Sequence, residues 1–171
     1  AVGLPEADYK LSYHCKNGRG VYTFCMCPGG EVIVAASQME SVAINGMSNR
    51  KRDSGKANSG LLCDVKVTDF GSEEPLAGID FQEKYEKLAF INGGKNYKAP
   101  KTTWEAFSKR RESALPVINS LPDFAVEAIT EAVPNLGRRL KGFDNRQAVI
   151  YGVETRSSSP VRIVRDDNGE G

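Results

Sequence analysis

The sequence has a single histidine, His14, in 171 residues. A zinc centre needs about four ligands, and His14 with Cys15, Cys25 and Cys27 is the one set on offer, at a spacing that fits no zinc pattern. Gly-x-Ser-x-Gly elbows, P-loops, His-Glu-x-x-His helices and EF-hand loops are all absent. No Gly-x-Gly-x-x-Gly follows a strand, so these residues carry no dinucleotide fingerprint. No apolar run approaches the roughly 20 residues of a membrane span, and no signal-peptide pattern opens the chain. An excess of one charge is missing too: 23 Lys and Arg stand against 22 Asp and Glu, a net charge of +1. No global field therefore recruits nucleic acid or an anionic membrane. The basic runs Arg50-Lys51-Arg52, Lys109-Arg110-Arg111 and Arg138-Arg139-Leu140-Lys141 read as solvated faces or helix ends. No nucleic-acid-reading motif accompanies them, and neither nucleic acid nor membrane is expected as a partner.

The composition is that of a folded globular chain, 40% hydrophobic and 26% charged, long enough for a real core. The cysteines Cys15, Cys25, Cys27 and Cys63 read as reduced thiols of a cytoplasmic protein. The abrupt start at Ala1 and the polar end at Asp166-Asp167-Asn168-Gly169-Glu170-Gly171 are compatible with a piece of a longer chain.

Along the chain, short β segments come first. Residues 21–27 suit a strand, and Pro28-Gly29-Gly30 supplies turn chemistry. Residues 31–36 are expected to return as a hairpin, followed by strands at 42–47 and 61–67. The polar loop 48–60 is long for a structureless connection. Helices are expected over 79–92, from Thr102 or Thr103 to about Arg111, and from Ser120 or Asp123 onward. Pro134 is expected to break or restart the last of these. Strands then return at 147–155 and 161–165. The predicted fold is α+β: a small antiparallel β-barrel or sheet from about 9–70 and 146–166, with an inserted helical bundle over about 76–143.

Three places carry chemistry-bearing residues. Cys25 and Cys27 lie two apart on a strand, on one face, with a Cα separation of about 6.6 Å from the strand rise. That spacing and the parallel Cβ vectors disfavour a disulfide, leaving small apolar thiols packed in a core or lining a cavity. Arg156-Ser157-Ser158-Ser159-Pro160 is a donor cluster able to hold phosphate, carboxylate or the polar edge of a cofactor, or else an exposed linker. Asn45-Gly46-Met47-Ser48 with Arg52-Asp53 and Ala57-Asn58-Ser59 offers close backbone approach and polar groups for a substrate, or else ordinary turns.

Four motifs, in this order, resemble the bacterial FAD-dependent dehydrogenases labelled NAD(FAD)-utilizing dehydrogenases. They are Gly18-Arg19-Gly20-Val21-Tyr22-Thr23-Phe24-Cys25-Met26-Cys27-Pro28-Gly29-Gly30, the Asn45 to Ser59 groups, Gly94-Lys95-Asn96-Tyr97-Lys98-Ala99-Pro100, and Gly152-Val153-Glu154-Thr155-Arg156-Ser157-Ser158-Ser159-Pro160-Val161-Arg162. In that family a glycine-rich FAD fingerprint lies upstream and a second glycine-rich stretch downstream, and neither is present. The resemblance implies that residues 1–171 are the inserted substrate or cap domain, with the flavin-binding halves of the same polypeptide as partner. It implies FAD in the parent protein, none bound to this fragment, and an unknown small-molecule substrate. It places Arg156, Ser157 and Ser158 near the flavin or the domain junction, and Cys25, Cys27 and Met47 on a cavity wall. It leaves Arg52, Asp53 and Asn58 to orient substrate. The other classes are a self-standing ligand-binding or thiol-redox module and a purely structural interaction domain.

Overall fold

The computed structural model describes residues 11–156 and 164–168. It is α+β, with small antiparallel sheets and helices. One sheet is built from β1 (Ser12–His14), β2 (Gly20–Pro28) and β5 (Ala57–Cys63), in the order β1-β2-β5. A second pairs β3 (Gly30–Ala35) with β4 (Ala43–Ser48), and a third pairs β6 (Lys101–Thr103) with β7 (Val149–Tyr151). Among the described residues these sheets do not close into a barrel.

The expected hairpin between residues 21–27 and 31–36 does not form. β2 lies between β1 and β5, and β3 pairs instead with β4, from Gly30 opposite Ser48 to Ala35 opposite Ala43. Pro28-Gly29-Gly30 is therefore a crossing between sheets. Its geometry is held from outside: the Gly29 N–H donates to the Lys56 carbonyl at 2.7 Å, with Gly29 at φ 68°. A Cβ at Gly29 would collide with the Arg52 backbone, so the 48–56 loop rests directly on the crossing.

The strand expected at 61–67 sits earlier, at Ala57–Cys63, because its pairing with β2 extends to Ala57 opposite Pro28. Beyond it the Asp69 carboxylate accepts from the Lys66 N–H at 2.6 Å and winds Val67–Phe70 into a short 3-10 turn.

The helices are α1 (Ala77–Asn92), α2 (Trp104–Ser108), α3 (Leu115–Ile118) and α4 (Asp123–Arg139). Thr103 caps α2, its hydroxyl accepting from the Ala106 N–H at 3.3 Å. α2 ends sooner than expected, and α3 was not anticipated. α4 runs through Pro134 rather than stopping there. Its buried positions continue across the proline as Ala132, Val133 and Leu136, and the Asn135 side-chain amide donates to the Glu131 carbonyl at 2.8 Å. Burial of this stripe outweighs the lost backbone bond.

The main core lies where α4 crosses β1, β2 and β5: Val21, Trp104, Phe107, Val126, Ile129 and Val133 pack together. A smaller core joins Val42, Ala89, Phe90 and Val153. β6 lies inside the segment read as helical, and pairs it with the chain's last described strand. That strand is shorter than expected: after Tyr151 the Gly152 N–H turns to the Pro100 carbonyl, and the Val153 carbonyl accepts from Ile44 at 3.0 Å. The strand expected at 161–165 falls largely outside the described residues, and 164–165 are not in a strand.

Gly29→Ala and Gly55→Ala separate backbone strain from crowding. Both glycines have φ near 70°, but nothing lies within 4 Å of a Cβ at Gly55. Gly55→Ala is expected to cost about 1 kcal/mol. Gly29→Ala adds overpacking of roughly 1–3 kcal/mol. Urea unfolding of the two variants checks this; equal losses would remove the crossing from its place against the loop.

Candidate functional site

Six of the sequence-selected residues gather around the sheet crossing. β2 does not reach it as a regular strand. Phe24 faces Gly60 and Cys27 faces Asn58, so Cys25 and Met26 together oppose Ser59 in a bulge. Cys25 takes φ 46° there, an uncommon conformation for a residue with a side chain. The premise of two thiols on a flat strand fails, and the Cys25 and Cys27 sulfurs lie 3.4 Å apart. Cys25 is exposed and Cys27 half-buried.

Gly30 and Gly46 leave a slot between the sheets, and Asn58 fills it. A Cβ on either glycine would strike the Asn58 amide. Asn58 Nδ2 donates to the Glu31 carbonyl at 3.3 Å, while its buried Oδ1 has no hydrogen-bond partner among the described residues. Met47, opposite Glu31, is 56% exposed. Arg52 and Asp53 sit on the loop that presses on Gly29. The Arg52 N–H donates to Asn49 Oδ1 at 2.6 Å, and Asp53 accepts from Asn49 Nδ2 at 3.0 Å.

Arg156 lies apart from this cluster. Its Nε and one terminal nitrogen donate to the two oxygens of Glu86, at 2.9 and 2.7 Å. Glu86 is 1% exposed on α1, and it also accepts from Ser41 and Gln82 at 2.9 Å and from Thr155 at 2.5 Å. Burial alone would push its carboxyl up; the bonds from Arg156, Thr155, Gln82 and Ser41 outweigh that and hold it at about 2. Ser157 and Ser158 lie outside the described residues.

The other thiols behave differently. Cys15 is buried and donates to the Ala128 carbonyl at 3.4 Å; burial raises its pKa. Burial also pushes the Cys63 thiol up to about 11. Cys15 packs in the main core and Cys63, half-buried, against it, and thiols so shifted are poor nucleophiles. His14 is exposed on β1.

Three charged residues escaped the sequence reading. Glu86 sits in a helix whose apolar stripe gave no sign of a buried acid. Glu154, half-buried with its pKa raised by burial, lies over Gly60; its place in the Gly152 to Arg162 motif was the available signal. Arg19, in the Gly18-Arg19-Gly20 opening, forms a two-pronged ion pair with Asp69 at 2.5 and 2.6 Å and stacks 4.0 Å over Phe124. That pair anchors the start of β2 beside a recess of about 440 Å³ lined by Phe70, Phe81, Tyr85 and Phe124. None of the motif residues chosen for chemistry lines this recess. It is open, with charged residues (Asp69, Asp80, Lys84, Asp123) among the aromatic ones, and the crossing is the better-built candidate because glycines, thiols and an orphaned amide oxygen converge there.

The described sheets contain no strand, glycine-rich turn and helix of the kind that cradles a pyrophosphate. What they define is a small-sheet α+β unit. A family model described as FAD-dependent protein, C-terminal domain-like, matches residues 1–157, and the chain belongs to that family. An uncharacterized protein of Clostridium beijerinckii (strain ATCC 51743 / NCIMB 8052) is 43% identical to it over 179 residues. The similarity covers 95% of this chain and 34% of that protein, so the chain spans about a third of its relative's length. No described helix is long and apolar enough to cross a membrane.

The Glu86 cluster gives a signed pH dependence. Its folded pKa is lowered from 4.5 to about 2, so its stabilisation is present above about 4.5 and is lost as pH falls towards 2. Glu86→Gln is expected to lose on the order of 3 kcal/mol at pH 7. The gap to the parent should narrow as pH falls from 4.5 towards 2 in urea unfolding. A gap independent of pH would show that the carboxylate charge is not what matters.

Proposed function

We propose that this chain, residues 1–171, is the cap unit of a cytoplasmic FAD-dependent oxidoreductase of the dehydrogenase type. FAD is held by the flavin-binding halves of the same polypeptide, outside these residues. The flavin, when bound, supplies hydride transfer; this unit supplies a shielded wall and polar groups that position a small organic substrate. Cys25, Cys27 and Met47 face that cavity, and Arg52, Asp53 and Asn58 orient the substrate. Arg156, Ser157 and Ser158 serve the flavin or the junction with the flavin-binding part.

The observation that carries this reading is the bare β3–β4 hairpin. Ile33 and Met47 are diagonal neighbours on one face, 43% and 56% exposed. Val34, on the hairpin's other face, and Met39, in the connection beyond β3, are exposed as well. Scattered exposed apolar side chains are ordinary, whereas a contiguous patch marks a surface that meets another. This patch adjoins the crossing where the thiols and Asn58 converge, and the family is FAD-dependent. On this reading the 171-residue chain alone is colourless and inert.

Visible absorbance and flavin fluorescence test the division of labour. The full-length protein should carry stoichiometric flavin and the isolated chain none. In the full-length protein, Ile33→Asp should leave flavin content unchanged and raise iodide quenching of flavin fluorescence severalfold, because the wall no longer seals. Stoichiometric flavin on the isolated chain, or quenching unchanged by Ile33→Asp, would contradict the cap assignment.

A further inference from the structure

The bulge in β2 does something a plain strand cannot. In regular β structure, side chains two apart stand about 6.6 Å from each other in parallel, too splayed for an easy disulfide. Here the extra residue opposite Ser59 and the left-handed backbone of Cys25 turn its side chain, bringing the two sulfurs to 3.4 Å. The backbone on both sides is pinned, by Phe24 opposite Gly60 and by Cys27 opposite Asn58. A bonded pair sits at about 2.05 Å, a gap that side-chain rotation of the exposed Cys25 can close.

The two remaining cysteines form a built-in contrast. Cys15 is buried in the core and Cys63 lies half-buried against it, and burial raises the pKa of both thiols. Cys25 is the exposed thiol of the four.

We infer that Cys25 and Cys27 form a reversible dithiol–disulfide couple that exchanges with low-molecular-weight disulfides such as glutathione disulfide. The Cys25 thiolate attacks one sulfur of the incoming disulfide. The S–S bond breaks, one thiolate leaves and takes up a proton, and a mixed disulfide remains on Cys25. The Cys27 thiolate then attacks the Cys25 sulfur and expels the second small thiol. Two protein thiols and one small disulfide give one protein disulfide and two small thiols, so the protein pair is oxidised by two electrons and the small disulfide is reduced. The order follows from exposure: Cys25 meets the reagent and Cys27, half-buried, resolves it. No step passes through flavin; on the cap assignment the small disulfide reaches Cys25 through the substrate cavity that it faces.

Tryptic mapping reads this directly. There is no Lys or Arg between Arg19 and Arg50, so trypsin releases peptide 20–50 with Cys25 and Cys27 as its only cysteines. The full-length protein is incubated with glutathione disulfide, blocked with iodoacetamide under denaturing conditions and digested. The expected product is peptide 20–50 short of two hydrogens, without alkyl or glutathionyl groups, and restored to the doubly alkylated form by prior treatment with dithiothreitol. Cys27→Ser should stop at a glutathione adduct on Cys25. A wild-type peptide that stays doubly alkylated, that retains glutathione, or that is joined to a Cys15 or Cys63 peptide overturns the couple. Absence of the adduct in Cys27→Ser overturns the role of Cys25 as the attacking thiol.

Discussion

The carboxylate of Glu86 is the constraint on which the rest of the arrangement hangs. It is a charge removed almost wholly from water, and such a charge is tolerable only when its lone pairs are met. They are met by groups far apart in sequence: Ser41 just before β4, Gln82 one turn back on α1, and Thr155 and Arg156 after β7. The backbone follows the same lines. The Val42 N–H donates to the Glu86 carbonyl at 3.1 Å, and Ile44 donates to Val153 at 3.0 Å. The β3–β4 hairpin is thus slung between α1 and residues 153–156, with Ile33 and Met47 exposed on one face.

The second constraint is spatial. The two larger sheets meet at a crossing with no room for side chains at Gly29, Gly30 or Gly46. The Arg52 backbone presses against the first glycine and the Asn58 amide occupies the slot beside the other two. Motifs distant in the chain are brought together by this close approach, and the bulge in β2 sits at its edge. The thiol pair is a consequence of that packing: the strand cannot stay regular and also reach the crossing with Pro28 opposite Ala57.

Much of the fold was legible in the sequence. The apolar period of α4, the thiol-bearing strand and the α+β order follow from local pattern, and the motifs carried the family. What escaped was set by contacts between distant segments. Pro28-Gly29-Gly30 has hairpin chemistry, yet the partner of β3 is chosen by its pairing with β4. Pro134 reads as a helix stop, and tertiary burial of Val133 and Leu136 overrides it. Glu86 looks like any solvent-facing acid on a helix, because its partners lie some 45 and 70 positions away. The Cys25 bulge was invisible because glycine, the residue that usually advertises a left-handed turn in a strand, is not the residue used.

The claim that Glu86 and Arg156 act as one anchoring unit is tested most directly by a double-mutant cycle. Unfolding free energies would be measured in urea at pH 7 for the parent, Glu86→Gln, Arg156→Gln and the double variant. The account predicts a coupling energy of about 2 kcal/mol, within the range for residues in one ion-pair network, with the double variant little worse than either single one. Additive losses would contradict it and return Arg156 to the role of a surface residue whose contact with Glu86 is incidental.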